Sequence, residues 1–422
     1  MRRERTRGTT SVLVRAATAA ALVLPLALLS ACSGTVSTTG PTPAPVRIGA
    51  IYNLTGDQAP LDAPSLAGAR LAVDRINAHG GLFGRRVELL ERDGQTDKTE
   101  VRRAAANLVA LGCSAIVGLS DTDQVLAAAP IAARAGVPFV TSGATSPRLT
   151  GDVPNWLFLA CFGDNTQAAA GAQYASDELG ARSATILFDP DLQYTRLLAK
   201  YFERSFRAQG GSVLASWALS PGREKLRAAF RSTGVEASEG QEADASAGQS
   251  PPSPAQADIL YVAAAPDGAP AVVRQLRAMG ARQPIMGGDS YDTDELVAMA
   301  EKTGGKVYYT THAGVGMSSA SRAVRRFDAS YRAAYGRPPQ NAFAALGYDA
   351  VGLVAAAIRR ADSVKPKAVR DALLETRHFP GVTGTLSYAD DDRVPRKKVT
   401  VVCVGRRPVV VAQFTPGYVA KP

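Results

Sequence analysis

The sequence predicts an α/β fold built on parallel sheets, and three observations carry that prediction. Short runs of Ile, Val and Leu alternate with stretches of about 10–15 residues at helical periodicity, the spacing of strand–helix–strand crossovers. The strand runs are continuously apolar, as in strands covered on both faces. The alternation also comes in two successive series. In the first, residues 46–51 form a strand, and Leu66, Ala69, Val73 and Ile76 recur at helical spacing until Gly80 and Gly81 cap the helix. Strand 87–90, helix 101–111, strand 115–117, helix 125–134 (Pro130 a potential kink) and strands 137–140 and 156–160 follow. The second series runs through helix 166–179, strand 184–188, helix 194–208, strands 212–217 and 259–263, helix 269–279 and a short strand near Ile285. Helices at 324–335, 342–360 and 366–374 come next, and strand-like segments at 383–387, 398–404 and 408–414 close the chain. Residues 234–256 break the rhythm: they are acidic, poor in apolar residues and end Pro-rich, which predicts a disordered surface insertion.

Composition narrows the function classes. The chain has 422 residues, 46% hydrophobic and 20% charged, enough for two or three domains with a sizeable core. Its formal charge is +10, but residues 1–31 hold five arginines against one glutamate, and without them +6 remains over 391 residues. No basic stripe with interleaved aromatics accompanies that remainder, so nucleic acid is not an expected partner. The only long apolar run is N-terminal, which excludes a polytopic membrane protein. Residues 1–31 have a positive start, an apolar stretch interrupted by Pro25, and small residues before Cys32, the parts of a secretory signal. Leu29-Ser30-Ala31-Cys32 resembles the bacterial lipobox, in which the cysteine thiol is acylated and becomes the new N-terminus. Each buried methylene contributes about 0.8 kcal/mol, so two or three acyl chains hold a protein durably where one does not. Residues 32–46 then read as a lipidated, flexible Ser/Thr/Gly/Pro tether, which places the folded body on the extracytoplasmic face of the plasma membrane. Cys113, Cys161 and Cys403 lack metal spacing and read as buried thiols, with a Cys161–Cys403 bridge as the alternative.

Catalytic signatures are missing. There is no G-x-S-x-G, Walker A, G-x-G-x-x-G or H-E-x-x-H, and the three histidines, His79, His312 and His378, read as surface or locally bonded residues. No metal or cofactor site is expected, and a binder is favoured over an enzyme. Carboxylate pairs at Asp121/Asp123 and Asp289/Asp292 keep an extracellular hydrolase as an alternative. Two strand-to-helix corners stand out instead. Val117-Gly118-Leu119-Ser120-Asp121-Thr122-Asp123-Gln124 and Val140-Thr141-Ser142-Gly143-Ala144-Thr145-Ser146-Pro147 put small and hydroxyl residues where free backbone N–H groups favour an anion. Ligands of open parallel sheets sit outside the carboxyl ends of the strands. Either corner alone also reads as a helix N-cap, with Asp121 or Thr122 satisfying its own helix.

Together with the lipobox, I-G-A-I-Y-N-L-T-G (48–56), G-A-R-L-A-V-D-R-I-N-A-H-G-G (68–81), V-T-S-G-A-T-S-P (140–147) and M-G-G-D-S-Y-D (286–292) resemble the solute-binding proteins of branched-chain amino-acid ABC transporters. The likeness spans residues 47–415. It implies a type I periplasmic-binding fold, two Rossmann-like parallel-sheet lobes joined by three hinge crossovers around a ligand cleft. Lobe one would be 47–161 plus 311–396, and lobe two 162–310 plus 397–415. By position the resemblance implies that Thr122 receives a ligand carboxylate, that Gly143 and Thr145, with Ser142 adjacent, contact it, that Tyr194 covers the ligand, and that Asp289 pairs with an ammonium. Phe162 and Tyr291 are further candidates. Tyr194 also reads as a core residue, and Asp289 as the cap of a helix beginning near Thr293.

The sequence departs from the family at several of these places. Asp289 stands where the family usually has glutamate, Ala265-Pro266 where it has an aromatic, and Leu61 where it has another. Asp121 and Asp123 flank the carboxylate-binding hydroxyl with negative charge. If they face the cleft, the solute is an amine, polyamine or amide; if they face outward, an ordinary amino acid. The partners implied are a small-molecule ligand bound by hinge closure to a monomer, and a permease–ATPase complex that imports it. The alternative is a sensor presenting its ligand to a signalling receptor.

Overall fold

Every parallel strand needs a crossover, and the helices that supply it cover the faces of the sheet. In the computed structural model, which describes residues 43–219, 256–318, 320–388, 392–405 and 407–422, this rule builds two sheets. The first contains β1 (Val46–Tyr52), β2 (Val87–Asp93), β3 (Ala115–Gly118), β4 (Phe139–Thr141) and β5 (Leu157–Leu159), all parallel, in the order β2-β1-β3-β4-β5. Helices α1 (Ala59–Ala78), α2 (Lys98–Ala110), α3 (Thr122–Arg134) and the short α4 (Leu149–Asp152) connect these strands.

The second sheet begins with α5 (Asp164–Asp177), β6 (Ser183–Phe188), α6 (Gln193–Ala208) and β7 (Ser212–Ala218). It continues through β8 (Ile259–Ala263), α7 (Ala269–Ala278), β9 (Ile285–Gly287), α8 (Asp294–Thr303) and β10 (Val307–Thr311). The chain then returns to the first sheet through α9 (Arg322–Tyr335), α10 (Ala342–Ala361) and α11 (Pro366–Leu374). Ala350, Val351, Val354 and Ile358 of α10 share one core with Ile48, Ala50 and Val117. After a small hairpin of β11 (Phe379–Gly381) and β12 (Gly384–Leu386), β13 (Val399–Val404) and β14 (Pro408–Phe414) join the second sheet. Its order is β14-β13-β10-β9-β8-β6-β7. The chain therefore passes between the sheets three times, after β5, after β10 and after β12.

Most elements fall where periodicity puts them, and the differences have physical causes. The second sheet is mixed rather than parallel, because β13 runs antiparallel to β10 and β14 antiparallel to β13. Among the described residues no crossover helix lies between β12 and β13, and the short link to β14 permits only a hairpin. Residues 379–381 pair with β12, where the sequence shows a single strand at 383–387. Helix α1 starts seven residues before Leu66, with Pro60 in its first turn and Pro64 inside it. Pro64 cannot donate to the carbonyl of Pro60, and that carbonyl instead accepts from Asn341 Nδ2 at 3.0 Å. Asn341 is also the N-cap of α10, so one side chain repairs α1 and starts α10. The two helices cross in backbone contact: a Cβ on Gly68 would lie 1.7 Å from the Ala344 carbonyl oxygen, and one on Gly347 1.9 Å from that of Ser65.

Helix α10 is long and apolar enough to cross a membrane, but 78% of its apolar window is buried, as in a core helix. Cys113, Cys161 and Cys403 are free thiols, the first two buried. The export signal, Cys32, the tether up to residue 42 and the insertion up to residue 255 lie outside the described residues.

Candidate ligand cleft at the strand ends

Side chains that follow the carboxyl ends of parallel strands in both sheets meet around one cavity. Gln58 and Leu61 follow β1, Ser120 and Asp121 follow β3, and Thr145 follows β4. From the other sheet come Leu192 and Tyr194 after β6, Ala265 and Pro266 after β8, and Asp289 and Ser290 after β9, with Phe343 closing one side from α10. The cavity volume is only about 20 Å³, so the walls stand close together.

At one end, Asp289 is fixed by side chains. Its Oδ1 accepts from Tyr194 Oη at 2.9 Å and from Gln167 Nε2 at 3.0 Å, and its Oδ2 lies 2.9 Å from His312 Nε2. A carboxylate only accepts, so Nε2 carries the proton, and burial lowers the tendency of the ring to take a second one. Gln167 also donates to Asp164 Oδ1 at 2.9 Å, and its Oε1 accepts from Thr310 Oγ1 at 2.9 Å and from the Asp289 N–H at 3.1 Å. Asp164 is fully buried. Burial, reinforced by the negative Asp289, raises it to about 8, although the hydroxyl of Thr145 and the amide of Gln167 pull the other way.

The opposite end rests on the backbone. Asp121 is the N-cap of α3: its Oδ1 accepts from the Gln124 N–H at 2.9 Å. Burial raises it to about 6, with Asp123 adding to the rise and Lys98 opposing it. Behind Ser120 lies Asp62, whose Oδ2 accepts from Asn53 N at 2.8 Å and Nδ2 at 2.9 Å. Its Oδ1 is buried, and the Ser120 hydroxyl beside the carboxyl opposes the rise that burial causes. Burial brings Asp62 to about 7. The loop before Asp121 is strained: Gly118 has φ +132° and Leu119 φ +55°.

Of the residues singled out by sequence, Asp121, Thr145, Tyr194, Asp289, Leu61 and Pro266 line the cavity. The others do not. Thr122 opens α3 at 1% exposure, its Oγ1 buried without a partner. Ser142 bonds to Ser65 Oγ at 3.2 Å, and Gly143 packs under Phe343 and Ser120. Asp123 points past the cavity to the N–H of Gln193 at 3.1 Å. Phe162 is buried and stacks on His312 at 3.9 Å between ring centres, and Tyr291 belongs to the apolar core under α7 and α8. Thr293, not Asp289, caps α8, accepting from the Leu296 N–H at 3.2 Å. His312 is buried rather than at the surface. Sequence reasoning missed Gln58, Ser290 and Phe343 in the lining, and Gln167, Asp164 and His312 behind it. Asp164 and Gln167 leave a trace, being polar residues one turn apart on an Ala-rich helix.

A family profile described as periplasmic binding protein matches residues 45–407. The chain belongs to that family. Its relatives in the family include the Leu/Ile/Val-binding protein BraC3 of Rhizobium johnstonii, 27% identical over 82% of this chain and 88% of that one. The crystal structure of the leucine-binding protein LivK of Thermotoga maritima superposes with a TM-score of 0.75 at 26% identity, covering 88% of this chain and 99% of that one. The branched-chain amino acid transporter substrate-binding protein LivJ of Streptococcus pneumoniae, solved with isoleucine, gives 0.74 at 28% identity, covering 90% and 100%. A solute-binding protein from R. palustris in complex with benzoate, at 20% identity, TM-score 0.72 and coverage of 90% and 98%, shares the fold. These family members are substrate-binding proteins rather than enzymes, and membership supports solute binding by this chain.

Proposed function

We propose that the protein is a lipid-anchored, extracytoplasmic receptor that captures a small amine-bearing solute between its two lobes and hands it to the permease of an ABC importer. The observation that carries this reading is the Asp289 carboxylate, which lines the cleft and is held in place by Tyr194, Gln167 and His312. A carboxylate fixed by three donors in a narrow cleft suits one protonated amine. Leu61, Pro266 and Phe343 supply the apolar walls that favour a small organic solute. Solute bound to both lobes stabilises the closed arrangement by its differential affinity, and the closed form is what a permease would recognise. The signal and lipobox ending at Cys32 support export and anchoring. BraC3 is a Leu/Ile/Val-binding protein, LivK a leucine-binding protein, LivJ was solved with isoleucine and the R. palustris protein with benzoate, which supports transport of a solute of similar size.

Calorimetric titration of the purified protein and its Asp289→Asn variant with amine-bearing solutes, led by whatever solute co-purifies, tests this reading. Loss of the carboxylate should weaken binding by about 3–5 kcal/mol, because the ammonium would be buried without its counter-charge. Unchanged affinity removes Asp289 from the site and the reading with it.

A further inference from the structure

The start of α3 is a place where a parallel-sheet protein can seat an anion, since its first N–H groups and the helix dipole point outward. Here the chain supplies that anion itself. Asp121 lines the cavity, and its carboxylate accepts from the Gln124 N–H at 2.9 Å. We propose that the cleft selects a solute with nitrogen-centred cations at both ends and no carboxylate, an organic diamine, one end on Asp289 and the other on Asp121. This rests on the solute-receptor reading above and narrows its substrate class.

Three further observations point the same way. Among the described residues lining the cavity, two are carboxylates and none is Lys or Arg. The cations nearby are engaged elsewhere. Lys98 lies on Asp123 at 3.4 Å, and Lys397 Nζ donates to the Ala160 carbonyl at 3.0 Å and to Thr383 Oγ1. Finally, behind the Asp121 wall sits Asp62, fully buried, its carboxyl beside the Ser120 hydroxyl that lines the cavity, so a second carboxyl stands behind that end of the cleft. A carboxylate entering there would face Asp121, with Asp62 behind it. The Asp123 carboxylate is turned towards Gln193 and Lys98 and does not line the cavity.

Titration of the purified protein with 1,4-diaminobutane, 1,5-diaminopentane and L-leucine tests the assignment. A diamine should bind at least 100-fold more tightly than leucine. Asp121→Asn, which keeps an N-capping oxygen for α3, should weaken the diamine at least ten-fold and narrow the preference. Leucine bound more tightly than either diamine, a diamine-to-leucine ratio unchanged in Asp121→Asn, or no binding of any of the three overturns the diamine assignment. Each of those results leaves the receptor reading to the Asp289→Asn variant, which should lose whatever solute the protein binds.

Discussion

At the Asp289 end of the cleft three side chains converge on one carboxylate, whereas at the Asp121 end a carboxylate leans on a backbone N–H. The two loops beneath differ in the same sense. At the last residue of β3 a Cβ on Gly118 would meet the Ile51 carbonyl oxygen at 1.8 Å, and φ there is +132°. In the loop after β9 a Cβ on Gly288 would meet Tyr194 Oη at 2.5 Å and Leu198 Cδ2 at 2.6 Å. Backbone cannot step aside without breaking the sheet, but side chains can turn. One end is thus rigid in its main chain; the other is a side-chain lattice on a more forgiving loop. A rigid end sets where a ligand group must lie, and a lattice sets how it is oriented and charged.

Replacing the two glycines separates these properties. Gly118→Ala combines a disfavoured φ with a backbone clash and should cost about 3–5 kcal/mol of stability, enough to deplete folded protein. Gly288→Ala should cost about 1–2 kcal/mol, yet push Tyr194 away from Asp289 and weaken solute binding about ten-fold. Denaturation midpoints and titrations of both variants check this. Equal stability losses would mean that the β9 loop is as immovable as the β3 loop.

The two ends were also unequally legible in the sequence. The β3 and β4 corners announce themselves because a strand, small residues and a helix start are contiguous, so Ser120, Asp121 and Thr145 lie within two short segments. The fold is legible for the same reason, since period and punctuation are local. The lattice around Asp289 is assembled from α5, α6, the β9 loop and the residue after β10, and no local pattern ties Gln167 to His312 across 145 positions. Phe343 reaches the cleft because Gly68 and Gly347 let α1 and α10 touch, a tertiary fact invisible to periodicity. Thr122, Phe162 and Tyr291 carry residue types suited to a site but do not line the cavity, and burial is not what separates them, since Asp289, Thr145 and Phe343 are as buried and do line it.

Acid–base behaviour sharpens the contrast without any ligand. Burial raises Asp164 to about 8 at the lattice end, and Asp62 to about 7 and Asp121 to about 6 at the other. Each is raised from the ordinary carboxylate value of 3.8, so between about pH 4 and 8 the folded chain holds protons that the unfolded chain has released. Stability should therefore fall as pH rises through that window, by up to about 1.4 kcal/mol per pH unit for each such group. Below about 6.5 the buried, neutral His312 opposes the trend, because the unfolded ring takes up a proton there. Asp164→Asn should flatten the slope between pH 7 and 8, where Asp164 is the last of the three to titrate, while Asp121→Asn should act nearer pH 6. Chemical denaturation across pH 5–8 reads both, and identical slopes in the two variants would break the distinction.

The smallest effect concerns Asp123, which sits between the ends and touches neither. Its Oδ2 accepts from the Gln193 N–H at 3.1 Å, and its Oδ1 lies 3.4 Å from Lys98 Nζ. Leu192, at the N-cap position of α6, offers no side-chain acceptor, so a carboxylate on α3 caps a helix of the opposite lobe. In the closure proposed above, that contact would form as the walls meet, a contribution to closure rather than to recognition. With the Lys98 side chain 53% exposed, the ion pair adds little, and Asp123→Ala should cost about 0.5–1 kcal/mol in all. Solute affinity should then fall about two- to five-fold, by the same factor for every solute, because a closure contact changes only the population of the closed state. Asp121→Asn, by contrast, should change the ratio between solutes. A variant of Asp123 that shifted that ratio would return it to the ligand-contacting wall, and scattering profiles unchanged by the substitution would deny it the closing role.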